Sequence, residues 1–484
     1  VPLTAFVRCS RGGQTRALKE IGQRLKSSIH ASVIYVSFNE FSLVGVWEEA
    51  DPLGALCRRI AFAARRDRNA TFEKDFANAD VKPMQIIEWL GREPRVLLID
   101  ELSRCTTLSE KSTSSINLAF FLKKSFLQQE NEYYAFSSHI FSTAVNLCIY
   151  SDSFSERPIA IRKLPLIRNV LSARKIFNWP ELNAGQALFY GLVPAMIHLA
   201  RQQELYKEPY LAKDTAIDEC IKDGLVTNRS VRNLLASFVD GDRYKVMEPL
   251  QLFMDLAEND KFRWIPFHMT EVLKKLVQEV PSLDENLKVA MTKIVNLFFE
   301  FSIAEESSGK AWESLFLLVV IIRVVSKQFD KVILPLDFSM DYSISFNQFI
   351  GSDQKPLVSI INVDEFIDDF TEPERYPHVA IYQPKNASFP LFGLIIAVYD
   401  KASSRKIYAY QVMEGREITK RNTTSRLRTT EFDACVVVRG KPRRGETRSK
   451  EQWIFPSKSQ IADFFGVSGK HWTPEEWNKL TKGI

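Results

Sequence analysis

The feature that most restricts this chain is a series of short apolar runs in its first third, each followed by residues in helical period. Ala5-Phe6-Val7, Ser32 to Phe38, Arg95 to Asp100, Glu132 to Phe136 and Pro158 to Lys163 are such runs. After the first, Leu18, Ile21 and Leu25 fall on one face of a helix starting near Gln14. Runs that are apolar without alternation suit strands covered on both faces, so the pattern predicts a parallel sheet in an α/β fold. The stretch Arg65 to Lys82 is polar and irregular and reads as a surface excursion.

A chain of 484 residues is too long for one core and favours about three domains. Apolar residues at 45% and charged residues at 25% exclude a wholly disordered chain. The longest apolar run, Leu315 to Ile322, stops at Arg323, well short of the roughly 20 residues a bilayer span needs. A soluble chain with one very apolar buried segment, and no membrane partner, is expected. Helical spacing continues through Ala187–Leu205, Val246–Leu256, Met269–Val280 and Glu285–Phe301. Val332–Phe338, Val358–Val363, Val379–Tyr382, Phe389–Tyr399 and Lys406–Met413 then read as strands. These changes divide the chain into 1–165 (α/β), 166–331 (helical), 332–420 (mixed strands and helices) and 421–484 (basic, with Trp453, Trp472 and Trp477). Phe298, Phe299, Phe301, Trp312 and Phe316 sit at helical spacings and read as core.

Six scattered cysteines with no CxxC pair point to reduced, buried thiols in an intracellular protein. The six histidines are equally scattered, and no HExxH occurs. The chain begins at Val1-Pro2 without a Met, signal or transit sequence, so targeting cannot be read from it.

Chemistry concentrates at the first strand-to-helix junction, Arg8-Cys9-Ser10-Arg11-Gly12-Gly13-Gln14-Thr15-Arg16. A phosphate loop reads GxxxxGK[ST]: glycines let backbone N–H groups wrap the phosphates, the Lys pairs with the outer phosphates, and the hydroxyl binds magnesium. Gly13 and Thr15 fit, Arg8 stands at the first Gly, and Gln14 replaces the Lys. An ordinary turn explains the loop equally well when it is taken by itself. The second element is Arg95-Val96-Leu97-Leu98-Ile99-Asp100-Glu101, a strand ending in two acids. Asp100, with Thr15, is the candidate magnesium ligand, and Glu101 the candidate for polarising a water. Ser10, Arg11, Gly12, Gly13, Gln14, Thr15 and Arg16 are the candidate nucleotide contacts. Ser138 and His139, closing another strand, are candidate sensors of the outermost phosphate. Losing the Lys removes a positive charge where phosphate charge is greatest, so weak ATP and Mg2+ binding with slow or no turnover is expected.

VRCSRGGQTRAL, the strand with Ser37 to Glu40, EWLGREPRVLLIDELS (Glu88 to Ser103) and YYAFSSH (Tyr133 to His139) resemble the Crinkler and retrotransposon-hot-spot proteins of oomycetes, some fungi and kinetoplastids. The resemblance spans about residues 3 to 165. The family's loop reads RCSRGGKTRAL, so Gln14 departs from it. Membership implies a P-loop NTPase joined to a C-terminal restriction-endonuclease-like α/β domain, at about 332–420 here, and nuclear residence. Ser388 to Gly393 matches that domain's first strand, with Phe392 and Gly393 where its Asp belongs. Lys406 to Met413 matches the second, with Gln411 in the acidic position. Two carboxylates are needed to hold magnesium in such a nuclease. Asp400 lies at a hairpin turn, and Glu365, Asp368, Asp369 and Glu414 suit a solvated surface. Metal-dependent cleavage is therefore not expected.

From Arg416 to Lys450, eleven Lys and Arg face four acids, a local +7 against +5 for the whole chain. Arg426, Arg428, Lys441, Arg443 and Arg444 are candidates for non-specific nucleic-acid contact, with Trp453 available for stacking. A solubilising loop or a nuclear-import signal has the same composition. The favoured reading is a nucleotide-binding protein of weak or absent turnover that binds nucleic acid or partner proteins, with nuclear residence implied by the resemblance alone. The alternatives are an active ATPase driving nucleic-acid processing, or a supporting subunit beside an active paralogue. In the last case Arg157 and Arg162, read as following the last sheet strand, could serve a neighbour's phosphates.

Overall fold

In the computed structural model the chain divides into two compact units. The structure describes residues 3–9, 12–28, 32–38, 48, 50–65, 69–90, 94–105, 113–127, 132–138, 159–203, 215–241, 245–256, 262–303, 309–328, 332–334, 343–349, 378–384, 393–399, 405–413, 433–439, 453–469 and 479–480. The first unit comprises Val1–Leu166 together with two later segments, Val193–Met196 and Gln251–Leu256. Everything else, including the stretches expected as separate regions over 332–420 and 421–484, belongs to the second unit.

The first unit runs β1 (Leu3–Val7), α1 (Gln14–Ser28), β2 (Ser32–Ser37), α2 (Pro52–Ala63), α3 (Pro83–Leu90), β3 (Arg95–Asp100), α4 (Leu102–Cys105), α5 (Thr113–Leu122), β4 (Glu132–Ser138) and β5 (Ile159–Lys163). Its sheet has the order β2-β3-β4-β1-β5, and every pair is parallel. Strand β3 shows why the sequence lacks polar alternation. Val96 and Leu98 pack with Leu18 of α1, while Leu97 and Ile99 join Leu56, Ile60, Leu118 and Leu122 on the opposite face. Each such side chain contributes about 1.5–3 kcal/mol when buried, which forces helices onto both faces. Helix α2 starts where Asp51 accepts from the Gly54 N–H and Pro52 takes the first turn. Within Arg65–Lys82, residues 69–82 are more ordered than their polarity suggests. Phe72–Phe76 forms a π-helical turn capped by Thr71, and Phe72 and Phe76 meet Phe62 edge-on at 5.6 and 5.5 Å.

The helical stretch contains α6 (Val170–Phe177), α7 (Ala184–Phe189), α8 (Pro194–Arg201), α9 (Thr215–Lys222) and α10 (Asn228–Asp240). The single helix expected over Ala187–Leu205 is broken, because Gly191 and Leu192 take left-handed φ of 66° and 61° before Pro194 starts α8. Val246–Leu256 is not a helix either. It makes a 3-10 turn over Glu248–Phe253 and a short strand, β6 (Met254–Leu256), since Pro249 has no N–H to donate and Asp255 is drawn into a buried ion pair. Next come β7 (Phe262–Trp264), α11 (Pro266–Glu279), α12 (Glu285–Ser302) and α13 (Gly309–Ser326). In α13 the run Leu315–Ile322 is buried throughout. Among the described residues no helix is long and apolar enough to cross a membrane. Phe298, Phe301, Trp312 and Phe316 are core, but Phe299 is 38% exposed, on the outer face of α12, with Lys274 Nζ 4.4 Å above its ring.

The second sheet has the order β13-β12-β11-β10-β9-β8, from β8 (Ser343–Phe349), β9 (His378–Pro384), β10 (Leu394–Tyr399), β11 (Arg405–Met413), β12 (Ala434–Arg439) and β13 (Trp453–Ile454). Strands β9, β10 and β11 run antiparallel, and the outer pairs are parallel. A last helix, α14 (Lys458–Gly469), follows. Of the expected strand Val332–Phe338, residues 332–334 form a turn and the rest lies outside the described residues, as does Val358–Val363. Five cysteines (Cys9, Cys57, Cys105, Cys220 and Cys435) are buried free thiols, and Cys148 lies outside the described residues.

Candidate functional site

Strand β1 delivers the chain into a tight turn, closed by the Gly12 N–H donating to the Cys9 carbonyl at 2.9 Å. Gly13 follows at φ 91°, a backbone conformation that side chains disfavour. Helix α1 begins at the next residue, so its free N–H groups and positive dipole end open at this turn. Ser10 and Arg11 lie outside the described residues.

Across the sheet, β3 ends in Asp100, which is fully buried and accepts hydrogen bonds from four hydroxyls. Thr15 Oγ1 lies 3.1 and 3.0 Å from its two oxygens. Tyr35 Oη and Ser37 Oγ donate to Oδ2 at 3.0 and 3.1 Å, and Ser137 Oγ donates to Oδ1 at 2.9 Å. Register makes this possible, since Ser37 of β2 stands opposite Asp100 and Ser137 follows the Ile99–Phe136 pair. Burial, and then the Asp100 charge, push the Tyr35 phenol well above its ordinary range, so it stays a donor. The sequence alone does not mark Tyr35, Ser37 and Ser137 as partners of Asp100. Their signal is the two-residue spacing of Tyr35 and Ser37 on a strand beside one that ends in Asp.

Gln14 is buried, and its Nε2 donates to the carbonyls of Arg8 at 2.7 Å and Cys9 at 3.4 Å. The side chain in the Lys position thus binds the loop itself. Arg16 points elsewhere: it is exposed on α1 and pairs with Glu20 at 3.1 Å. Glu101 has the left-handed φ of 59°, its N–H donates to Ser137 Oγ at 2.9 Å, and its carboxylate pairs with Arg104 at 3.0 Å. A bulky residue in this conformation carries strain of about 1 kcal/mol or more, held by the surrounding bonds. Ser138 is fully buried at the end of β4, while His139 and Arg157 lie outside the described residues, and Arg162 is an exposed residue within β5.

In the second unit Gly393 N–H donates to the Tyr410 carbonyl at 3.0 Å, placing it beside Gln411 on β11. The intervening strand β10 is Leu-Ile-Ile-Ala-Val-Tyr and carries no carboxylate. Phe392, Asp400, Glu365, Asp368, Asp369 and Glu414 lie outside the described residues, as do Arg426, Arg428, Lys441, Arg443 and Arg444. Among the described residues no group of three or more His, Cys, Asp or Glu could hold a metal ion.

No family model and no curated protein matches the chain. Among solved structures, the Walker-type ATPase PABY2304 of Pyrococcus abyssi is similar at 12% identity over 56% of this chain and 91% of that one, with a TM-score of 0.37. The Drosophila ORC bound to AT-rich DNA and Cdc6 is similar at 12% identity over 68% of this chain and 67% of that one, with a TM-score of 0.25. Likenesses this slight assign the chain no role.

Proposed function

We propose that this chain binds a nucleoside triphosphate, with ATP the first to test, together with magnesium at the β1–α1 loop, and turns it over slowly or not at all. The observation that carries the reading is the Thr15 hydroxyl set 3.0–3.1 Å from both oxygens of the buried Asp100, at the mouth of a glycine turn that opens a helix. A hydroxyl and a carboxylate are the hard oxygen donors that magnesium takes, so Thr15 and Asp100 would hold it. When bound, the ion supplies positive charge beside the phosphates. Gln14 brings no charge there, since its Nε2 donates to the Arg8 and Cys9 carbonyls, which supports weak binding.

The proposal extends to membership of the Crinkler and retrotransposon-hot-spot family and to nuclear residence, supported by the motifs between residues 3 and 165. It also includes non-specific nucleic-acid contact by the basic stretch 416–450, supported by its +7 charge. One observation favours an active ATPase instead: Glu101 directly follows Asp100 in a strained conformation.

Equilibrium binding of labelled ATP, with and without magnesium, to the wild type and Gln14→Lys tests the reading. Magnesium-dependent binding by the wild type is expected, tightened about tenfold by the added charge. Failure of both proteins to bind at millimolar ATP would overturn it. Phosphate release by the wild type that Glu101→Gln abolishes would establish the ATPase in its place.

A further inference from the structure

We propose that Arg8 and Asp255 are a positioning pair for the phosphate loop, which makes the segment Gln251–Leu256 a working part of the nucleotide site. The inference rests on the nucleotide reading above and adds the residues that set the loop's shape. Arg8 stands where a phosphate loop has its first glycine, yet only 2% of it is exposed. Its guanidinium donates to Asp255 Oδ2 at 3.1 Å, and Asp255 is itself 1% exposed. A second guanidinium nitrogen donates to the Leu164 carbonyl. Both partners belong to the first unit, 247 and 156 residues further along the chain.

Between backbone and tip, the stem of Arg8 lies across Gly12. A Cβ on Gly12 would come within 2.3, 2.7 and 2.8 Å of Arg8 Cγ, Cβ and Cδ. Gly12 is required here by the stem beneath it, whereas Gly13 is required by its φ. The Arg8 carbonyl is held too, by Gln14 Nε2. Arg8 is therefore fixed at its carbonyl and at its tip, and the turn that presents the loop's N–H groups rests on the part in between. Loop amides bind phosphate only when wrapped to the right curvature, which depends on such supports. Losing Asp255 would leave a buried guanidinium uncompensated and release the stem. The pairing also means that Arg8 does not replace the charge missing at Gln14.

The test measures ATP affinity and hydrogen exchange in the whole 484-residue chain. Added Mg-ATP is expected to slow exchange at the amides of Gln251–Leu256 in the wild type. Asp255→Asn should weaken ATP binding about tenfold and remove that protection, and Asp255→Glu should restore most of the affinity. A general loss of packing would not be rescued by the conservative variant. If Asp255→Asn does not fold, wild-type exchange decides: protection supports the pair, and its absence overturns it. ATP binding that leaves 251–256 unprotected and is unchanged by Asp255→Asn would sink this inference alone. No ATP binding by the wild type would sink the nucleotide reading and this inference with it.

Discussion

Asp100 accepts four hydroxyl hydrogen bonds, and Ser137 contributes more than the others because it acts twice. Its hydroxyl donates to Asp100 and accepts from the strained Glu101 N–H. Ser137→Ala should therefore cost about 1–3 kcal/mol, read from urea unfolding, by leaving a buried N–H without its acceptor. Thr15 and Asp100 stand out in the sequence by their fixed spacing to a loop and a strand end, and the structure brings them within 3.1 Å of each other. Tyr35, Ser37 and Ser137 were hidden because a hydroxyl on a strand says nothing until register sets it opposite a carboxylate. Arg8 was misleading in another way. Read as a defect in the glycine pattern, it is a buried residue with partners that no local motif could reveal.

Elements show the same division. The parallel sheet was legible because strands covered on both faces are uniformly apolar, as β3 is. The helices were legible by face but not by ends, since breaks such as that at Gly191-Leu192 are fixed by backbone conformation rather than by hydrophobic period. Arg323 is instructive: it stops the longest apolar run in the sequence, yet it is only 8% exposed. Helix α14 kinks at Gly466, whose φ is 63° and whose missing Cβ would lie 2.2 Å from the Val239 carbonyl oxygen. The kink frees carbonyls, and Arg323 donates to two of them, Phe464 at 2.8 Å and Asp463 at 2.7 Å. Arg323→Met keeps much of the stem but strands those carbonyls. A loss of about 2–4 kcal/mol is expected, measured by chemical denaturation of the full chain.

At the scale of the molecule, the two units should answer to pH in opposite senses. In the first, Glu132 is buried with neither carboxylate oxygen hydrogen-bonded, and burial lifts its pKa to about 7 against the partial pull of Arg95. The folded state therefore holds that proton where the unfolded chain has lost it. Stability from this group is full below about 4.5 and declines as pH rises through 7. In the second unit His378 lies between the hydroxyls of Ser343 and Ser345, and burial lowers it to about 4. Its contribution is full above about 6.5 and declines as pH falls toward 4. Calorimetry between pH 5 and 7 should show one transition falling and the other rising with pH, each by on the order of 1–3 kcal/mol. Glu132→Gln should flatten the first slope and His378→Asn the second.

The two late segments of the first unit also set a timetable. The sheet and loop are encoded before residue 166, but the carboxylate that answers Arg8 comes at Asp255. At about 5–20 residues per second, the ribosome takes on the order of ten seconds to cover the intervening stretch. During that interval the nascent chain carries every strand of the sheet and an arginine whose carboxylate partner has not yet been made. The loop can take its final shape only after the middle of the chain has been made, so this unit is completed out of the order in which it is written.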